Sequence, residues 1–330
     1  MRRNVLLPGV LGIVLFCVLV QGCRARTRAT SDEAAPAVTE SQPARMATFE
    51  TSRSTSVFDL AGQPRLTVEN QFGDVEVVPG GPEARVDSVV YALGTDLADA
   101  RRRGSTLAAN EEPDPEAGLK ITVEREQIDS DVRADLVVRA PREIALQVCV
   151  SAGQVSVMGM EGPIEVLGAS GRTSLTDMKG HVTVENTSGS VRVADARDGL
   201  CARTSSGDIV LERIQGSVLA RTLSGAISLS DIRSEKITVS TGSGNIDIRL
   251  GTPFAGRMHA RTDSGDIAIA LPRNSNCRVK TATRLGEVSC SLPLRAKSGQ
   301  GRNISGRLGG GEGVIDLGTG SGDIKLVGAD

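Results

Sequence analysis

The chain has 330 residues and a formal charge of −2 at pH 7, with 38 Gly, no Trp, one Tyr and five Phe. That balance excludes the strongly basic face that nucleic-acid binding requires. So few rings exclude an ordinary aromatic-rich core and point to a narrow one, filled by stacked Val, Ile, Leu and Ala.

The first 23 residues read as a targeting segment. Arg2 and Arg3 give a basic start, Leu6 to Val20 is apolar, and Val20-Gln21-Gly22-Cys23 closes the run. A basic start, an apolar stretch and a small residue before the cut describe a secretory signal. The V-Q-G-C ending resembles a bacterial lipobox, which implies that Cys23 is lipidated and becomes the mature N-terminus. An uncleaved transmembrane anchor is the alternative, although the apolar run is short for a span of ~20 residues. Arg24, Arg26 and Arg28 follow it, a placement that opposes export of what comes next. Residue 24 is not Asp, so the inner-membrane retention rule of enterobacterial lipoproteins does not apply. The expected address is the cell envelope, at the outer membrane where the cell has one. Residues 24–54, rich in Ala, Ser, Thr and Pro, read as a flexible tether. Thirty such residues reach ~30 Å.

Residues 55–143 are expected to hold a first coil and a cap. Leu66–Val77 (LTVENQFGDVEV) alternates apolar and polar residues on both sides of Gly73. Arg85–Ala92, Leu119–Glu124 and Asp135–Ala140 read as strands. Thr95–Leu107 reads as a short helix, with Asp96 as an alternative cap.

Residues 144–330 carry the dominant signal. A glycine, usually preceded by Ser, recurs at 153, 171, 189, 207 and 225, then at 244, 265, 286 and, after a Gly-rich excursion over 294–310, at 322. Counting from each glycine, positions +2 and +4 are apolar, as in Ile209 and Leu211 or Ile267 and Ile269. So are positions −7 and −5, as in Val182 and Val184 or Ile315 and Leu317. Position +7 adds Met160, Met178, Ile214 and Ile232, and a second glycine near +9 marks another corner. Period-two alternation on both sides of a turn marks half-buried strands. One unit cannot bury its own apolar face, so units stack. The predicted fold is all-β: a parallel β-solenoid (single-stranded β-helix) with ~18-residue coils and a small N-terminal capping region.

These parts resemble a bacterial family of β-strand-repeat (β-helix) domains of unknown function that carry the label "putative adhesin". The likeness rests on the L-x-V-x-N-x-x-G-x-V-x-V opening at Leu66–Val77, the strand into Ala140-Pro141, and the serial S-G-x-I-x-L units. It spans roughly residues 55–330. It implies a lipid-anchored or membrane-tethered envelope protein and brings no catalytic residues.

The outward positions hold the candidate sites. His181 and His259 fall outward, with no nucleophile beside them. Asp208, Asp266 and Asp323 follow their glycines, as does Asn245, and read as turn-stabilising groups; a Ca²⁺ site is the alternative. Arg203, Arg221 and Arg261 share position −4 and form a candidate anion-binding stripe, with Glu185 one coil earlier offering Arg203 an ion-pair partner. Cys277 and Cys290 lie in one coil and are a candidate disulfide, whereas Cys149 and Cys201 sit three coils apart, too far to bond. Gly318-x-Gly320-x-Gly322 precedes a strand, so it fails the context of a nucleotide loop. The coils are too short to wall a catalytic groove. The sequence therefore predicts a protein without catalysis, cofactor or metal, binding through a lipid anchor to the membrane and through its body to an envelope protein or glycan. The alternatives are a periplasmic scaffold or sensor accessory and, third, a glycan-active β-helix enzyme.

Overall fold

A computed structural model describes residues 46–60, 65–105, 107–114, 118–125 and 131–329. The signal segment, Cys23 and the tether up to residue 45 lie outside the described residues. Each coil is a strand entering a glycine turn and a strand leaving it. Around Gly153 these are Ala145–Ala152 and Val155–Met158; around Gly171, Ile164–Ser170 and Thr173–Met178; around Gly189, Val182–Ser188 and Val191–Ala196. The Gly207 coil is Leu200–Ser206 with Ile209–Glu212, and the Gly225 coil is Val218–Ser224 with Ile227–Ser230. The Gly244 coil is Lys236–Ser243 with Ile246–Arg249, and the Gly265 coil is Arg257–Ser264 with Ile267–Pro272.

Entering strands build a 14-stranded sheet and leaving strands a 13-stranded sheet, and coil joins coil by parallel ladders in both. Equivalent residues face each other without slip, as in Val182, Leu200 and Val218 or Val191, Ile209 and Ile227. The inward positions read from the sequence are the core: Val184, Ile209, Leu211, Leu229, Ile248 and Ile269 are at most 1% exposed, as are Met160, Met178 and Ile214 at the second corner.

Both ends depart from serial order. The Gly73 coil (Arg65–Phe72, Val75–Pro79) is covered by Gly118–Arg125 and Val132–Ala140, so the expected first coil is second in space. Glu83–Gly94 and then Ala47–Asp59 extend the leaving sheet beyond it by antiparallel pairing. At the other end the C-terminal coil (Gly313–Ser321, Ile324–Ala329) lies between the Gly265 coil and the Gly286 coil (Cys277–Leu285, Val288–Cys290). The spacing of the glycines predicts the opposite order, with Gly286 directly on Gly265.

Three further expectations are corrected. The strand Ala47–Asp59 occupies 47–54 of the expected tether. It is an edge strand held by one neighbour, so most of its side chains stay polar and exposed, and only Phe49 and Phe58 pack against the core. The helix is Leu97–Gly104, shorter than 95–107. Asp96 caps its start through the Asp99 N–H (2.8 Å), and the Ser105 hydroxyl turns back onto the Arg102 carbonyl (2.7 Å) to close its end. The next segment, Leu107–Asp114, is a strand paired with Gly118–Arg125. Within the 294–310 excursion, Arg295–Ser298 and Asn303–Leu308 form a hairpin that caps the entering sheet against Cys277–Leu285.

Two side-chain ladders hold the glycine turn. Where residue +1 is Asp or Asn, its side chain accepts the backbone N–H of residue +1 in the next coil. Asp208 Oδ1 takes the Ala226 N–H (2.8 Å), Asn245 Oδ1 that of Asp266 (2.9 Å), Asp266 that of Asp323 (2.8 Å) and Asp323 that of Glu287 (2.8 Å). The second ladder goes beyond the expected turn groups. Thr222, Thr241, Thr262, Thr319 and Thr283, three residues before their glycines, are buried and donate to the glycine carbonyl of the coil below at 2.9–3.3 Å. The repeated A-R-T-x-S-G of the best copies carries that signal. Asn70 holds the same position at the N-terminal end; its Nδ2 donates to the Ala134 carbonyl (2.8 Å), and its buried Oδ1 finds no hydrogen-bond partner among the described residues.

These bonds assign the +1 carboxylates to the turn. Asp266→Ala is expected to cost ~1 kcal/mol, because it strips the Asp323 N–H of its acceptor, whereas Asp266→Asn retains the bond, as Asn245 does. Urea melts of both variants, with and without a chelator, check this. A midpoint that falls on chelation would transfer these carboxylates to a bound cation.

Candidate functional site

The parallel register turns each outward position into a row running along the stack. Position −4 of the entering sheet is one unbroken row: Glu69, Cys149, Leu167, Glu185, Arg203, Arg221, Ser240 and Arg261 stand opposite one another strand after strand. The row starts acidic and apolar and ends basic. Over it runs a shallow groove of about 830 Å³, lined from Thr122 on the cap to Ser240 and crossing eight adjacent strands. At a strand spacing of ~4.8 Å that makes a channel ~34 Å long. Its floor is low where Ala169 carries only a methyl group, and Leu223 rises from it 69% exposed.

Of the three arginines of the expected stripe, Arg203 and Arg221 are direct neighbours in the groove, and Ser240 separates Arg221 from Arg261. Arg203 bonds Glu185 at 2.5 Å, and that bond raises its pKa. Arg261 lies 3.9 Å from Asp316, which also receives His259 at 3.3 Å. His181 is exposed, with Nδ1 3.0 Å from the Asp198 carbonyl. Cys277 and Cys290 hold free thiols, as do Cys149 and Cys201. Cys277 is buried among apolar neighbours, which pushes its thiol up to about 11. Among the described residues no three His, Cys, Asp or Glu side chains gather closely enough to hold a metal ion. No described helix is long and apolar enough to cross a membrane.

A second recess, about 450 Å³, lies at the other corner between Asp195, Arg197, Arg213 and Asp231. There Asp177, Asp195, Arg213 and Asp231 hold φ of 54–58°, a left-handed conformation that Asp tolerates better than Arg. Arg213 is held in it by a two-pronged bond to Asp195 (2.7 and 2.8 Å). The same bond lowers the Asp195 pKa. A lowered carboxylate pKa contributes stability that is present above the unfolded value of ~3.9 and lost as pH falls through the folded value. Both groups are solvent-exposed, so the contribution is small and screened by salt. Urea midpoints are expected to drop on moving from pH 6 to pH 3, and to drop less in Arg213→Ala. Equal drops would remove this pair from the acid response.

Residues 217–327 match the family model described as Toastrack DUF4097. No curated protein matches. Among solved structures, the chain is similar to a "putative cell adhesion protein" from Clostridium sporogenes (9% identity, 84% of this chain and 99% of that one, TM-score 0.24). It is also similar to a "putative adhesin" from Bacteroides fragilis (11%, 84% and 97%, TM-score 0.37) and a "putative lipid binding protein" from Parabacteroides distasonis (12%, 83% and 96%, TM-score 0.41).

Proposed function

We propose, on the premise of a Toastrack DUF4097 domain at residues 217–327, that this chain is a non-catalytic binding element of the cell envelope, tethered to a membrane by a lipid on Cys23. The observation that carries the reading is the groove: its contact positions repeat every ~4.8 Å on strands joined by parallel backbone pairing. A regular row of that kind suits an extended ligand better than a compact one, because successive coils offer successive contacts. Arg221 and the exposed Leu223 are its most available groups, since Arg203 is already engaged by Glu185. An acidic polymer with an apolar element, such as a uronate-bearing glycan, fits the pair.

The test is titration of polygalacturonate into the parent protein and into Arg221→Glu and Leu223→Asp. Arg221→Glu is expected to weaken binding at least ~10-fold at low salt, and rising salt to narrow the difference. Unchanged affinity in both variants would sink the groove as the contact face. Labelled palmitate should enter the parent protein and not Cys23→Ala. Protease shaving of intact cells then decides between the surface module, which is cut, and a periplasmic scaffold, which is spared.

A further inference from the structure

The C-terminal coil sits where the spacing of the repeats does not put it. It separates two coils that are in register with each other through it. Val314 stands opposite both Arg257 and Arg278, and Ser321 opposite both Ser264 and Leu285. Ile324 stands opposite both Ile267 and Val288, and Leu326 opposite both Ile269 and Cys290. If residues 313–329 were withdrawn, residues 277–290 could close onto the Gly265 coil by one strand spacing, with no slip along the strands. The turn bonds have equivalents too. Asp266 Oδ1, which now accepts Asp323 N–H, would accept Glu287 N–H, and the Gly265 carbonyl, now bonded by Thr319, would receive Thr283.

The chain around the insert fits this exchange. At the corner the two flanking coils already touch, since the Asn276 N–H donates to the Phe254 carbonyl (2.8 Å). The inserted coil is reached through Gly309, Gly310 and Gly311, a hinge that crosses the start of the Gly286 coil and is pinned by Asn276 Oδ1 accepting from Gly311 N–H (2.7 Å) and Glu312 N–H (3.3 Å). The inserted order buries more, because Ile315, Leu317, Ile324 and Leu326 are at most 1% exposed within it.

We propose that the C-terminal coil is a withdrawable insert. The body has a minor stacking order in which residues 277–290 close directly on residues 257–272 and residues 313–329 are released. Released, the segment presents two apolar strands with unpaired backbone groups, the form that adds to open sheet edges.

A disulfide reporter in the full chain tests this, with Cys149, Cys201, Cys277 and Cys290 replaced by Ser or Ala. Ser264→Cys with Leu285→Cys places two thiols on strands separated by the insert, about 9.6 Å apart at two strand spacings, beyond the ~7 Å limit for a bond. In the direct order they face each other. The reference pair, Ser321→Cys with Leu285→Cys, faces directly in the inserted order. The reference pair is expected to oxidise readily and the reporter pair slowly. Oxidation of the reporter should remove hydrogen-exchange protection from Ile315–Leu326 while Ile237–Ile269 keeps theirs, and Asn276→Ala should speed it at least ~5-fold. A reporter pair that stays reduced while the reference pair oxidises would overturn the proposal. So would a bond that forms only with loss of protection throughout the stack.

Discussion

Replacing Gly207 by Ala is expected to lower the stability of the body by about 2–5 kcal/mol, combining strain at a disfavoured φ with overpacking. Gly207 has φ +143°, and a Cβ there would sit 2.2 Å from the Gly189 carbonyl oxygen. The obstacle is backbone in the adjacent coil, held by its own ladder, so it cannot move aside as a side-chain tip would. The same geometry repeats at Gly171, Gly189, Gly225 and Gly244, where the nearest carbonyl oxygen lies 1.8–2.2 Å from a Cβ. Gly318→Ala is the control. Its Cβ would meet nothing closer than 3.8 Å, so Ala is expected to be neutral or to stabilise the strand by up to ~1 kcal/mol. Urea unfolding of both variants measures the contrast. Equal effects would mean that the coils separate enough to admit a methyl group and that the turn glycines serve another purpose.

The second large effect is expected from Leu211→Ala, at about 2–5 kcal/mol. Leu211 is fully buried and stands between Val193 in one coil and Leu229 in the next. Truncation opens a cavity on a column whose neighbours cannot close in, because the ladders hold the coils at fixed spacing. The loss also weakens two interfaces at once, which in a stack of nearest-neighbour units is where stability resides. Leu223→Ala in the adjacent coil removes the same atoms from a site 69% exposed, and is expected to stay within ~0.5 kcal/mol of the parent. A matching loss in the two variants would contradict the inward and outward assignment of these positions.

That assignment is legible in the amino-acid sequence. In each coil two strands of period-two alternation flank a glycine at a near-constant interval, and only stacked units bury such a pattern. Hence Ile209, Leu211, Met178 and Ile214 face inward, as their spacing predicts. The carboxylate after the glycine is legible as a turn group, because Asp and Asn serve interchangeably there. The threonine three residues before the glycine carries a signal in plain view. Its meaning needs the folded turn, since a buried hydroxyl is explained only by the carbonyl it bonds.

The amino-acid sequence therefore specifies what is local and periodic: strand, turn, inward face and the tendency to stack. Alternation and glycine spacing act within one coil, and any coil satisfies them whatever its neighbour. The order of the coils was decided by tertiary structure alone. Spacing points to Gly286 directly on Gly265, but the Gly322 coil presents the same register to both neighbours and takes that place without slip. Burial of Ile315, Leu317, Ile324 and Leu326 between two coils favours the inserted arrangement. The groove followed from the same source. Glu69, Leu167, Arg203 and Arg221 are ordinary outward positions in their own coils, and only parallel stacking gathers them into one continuous face.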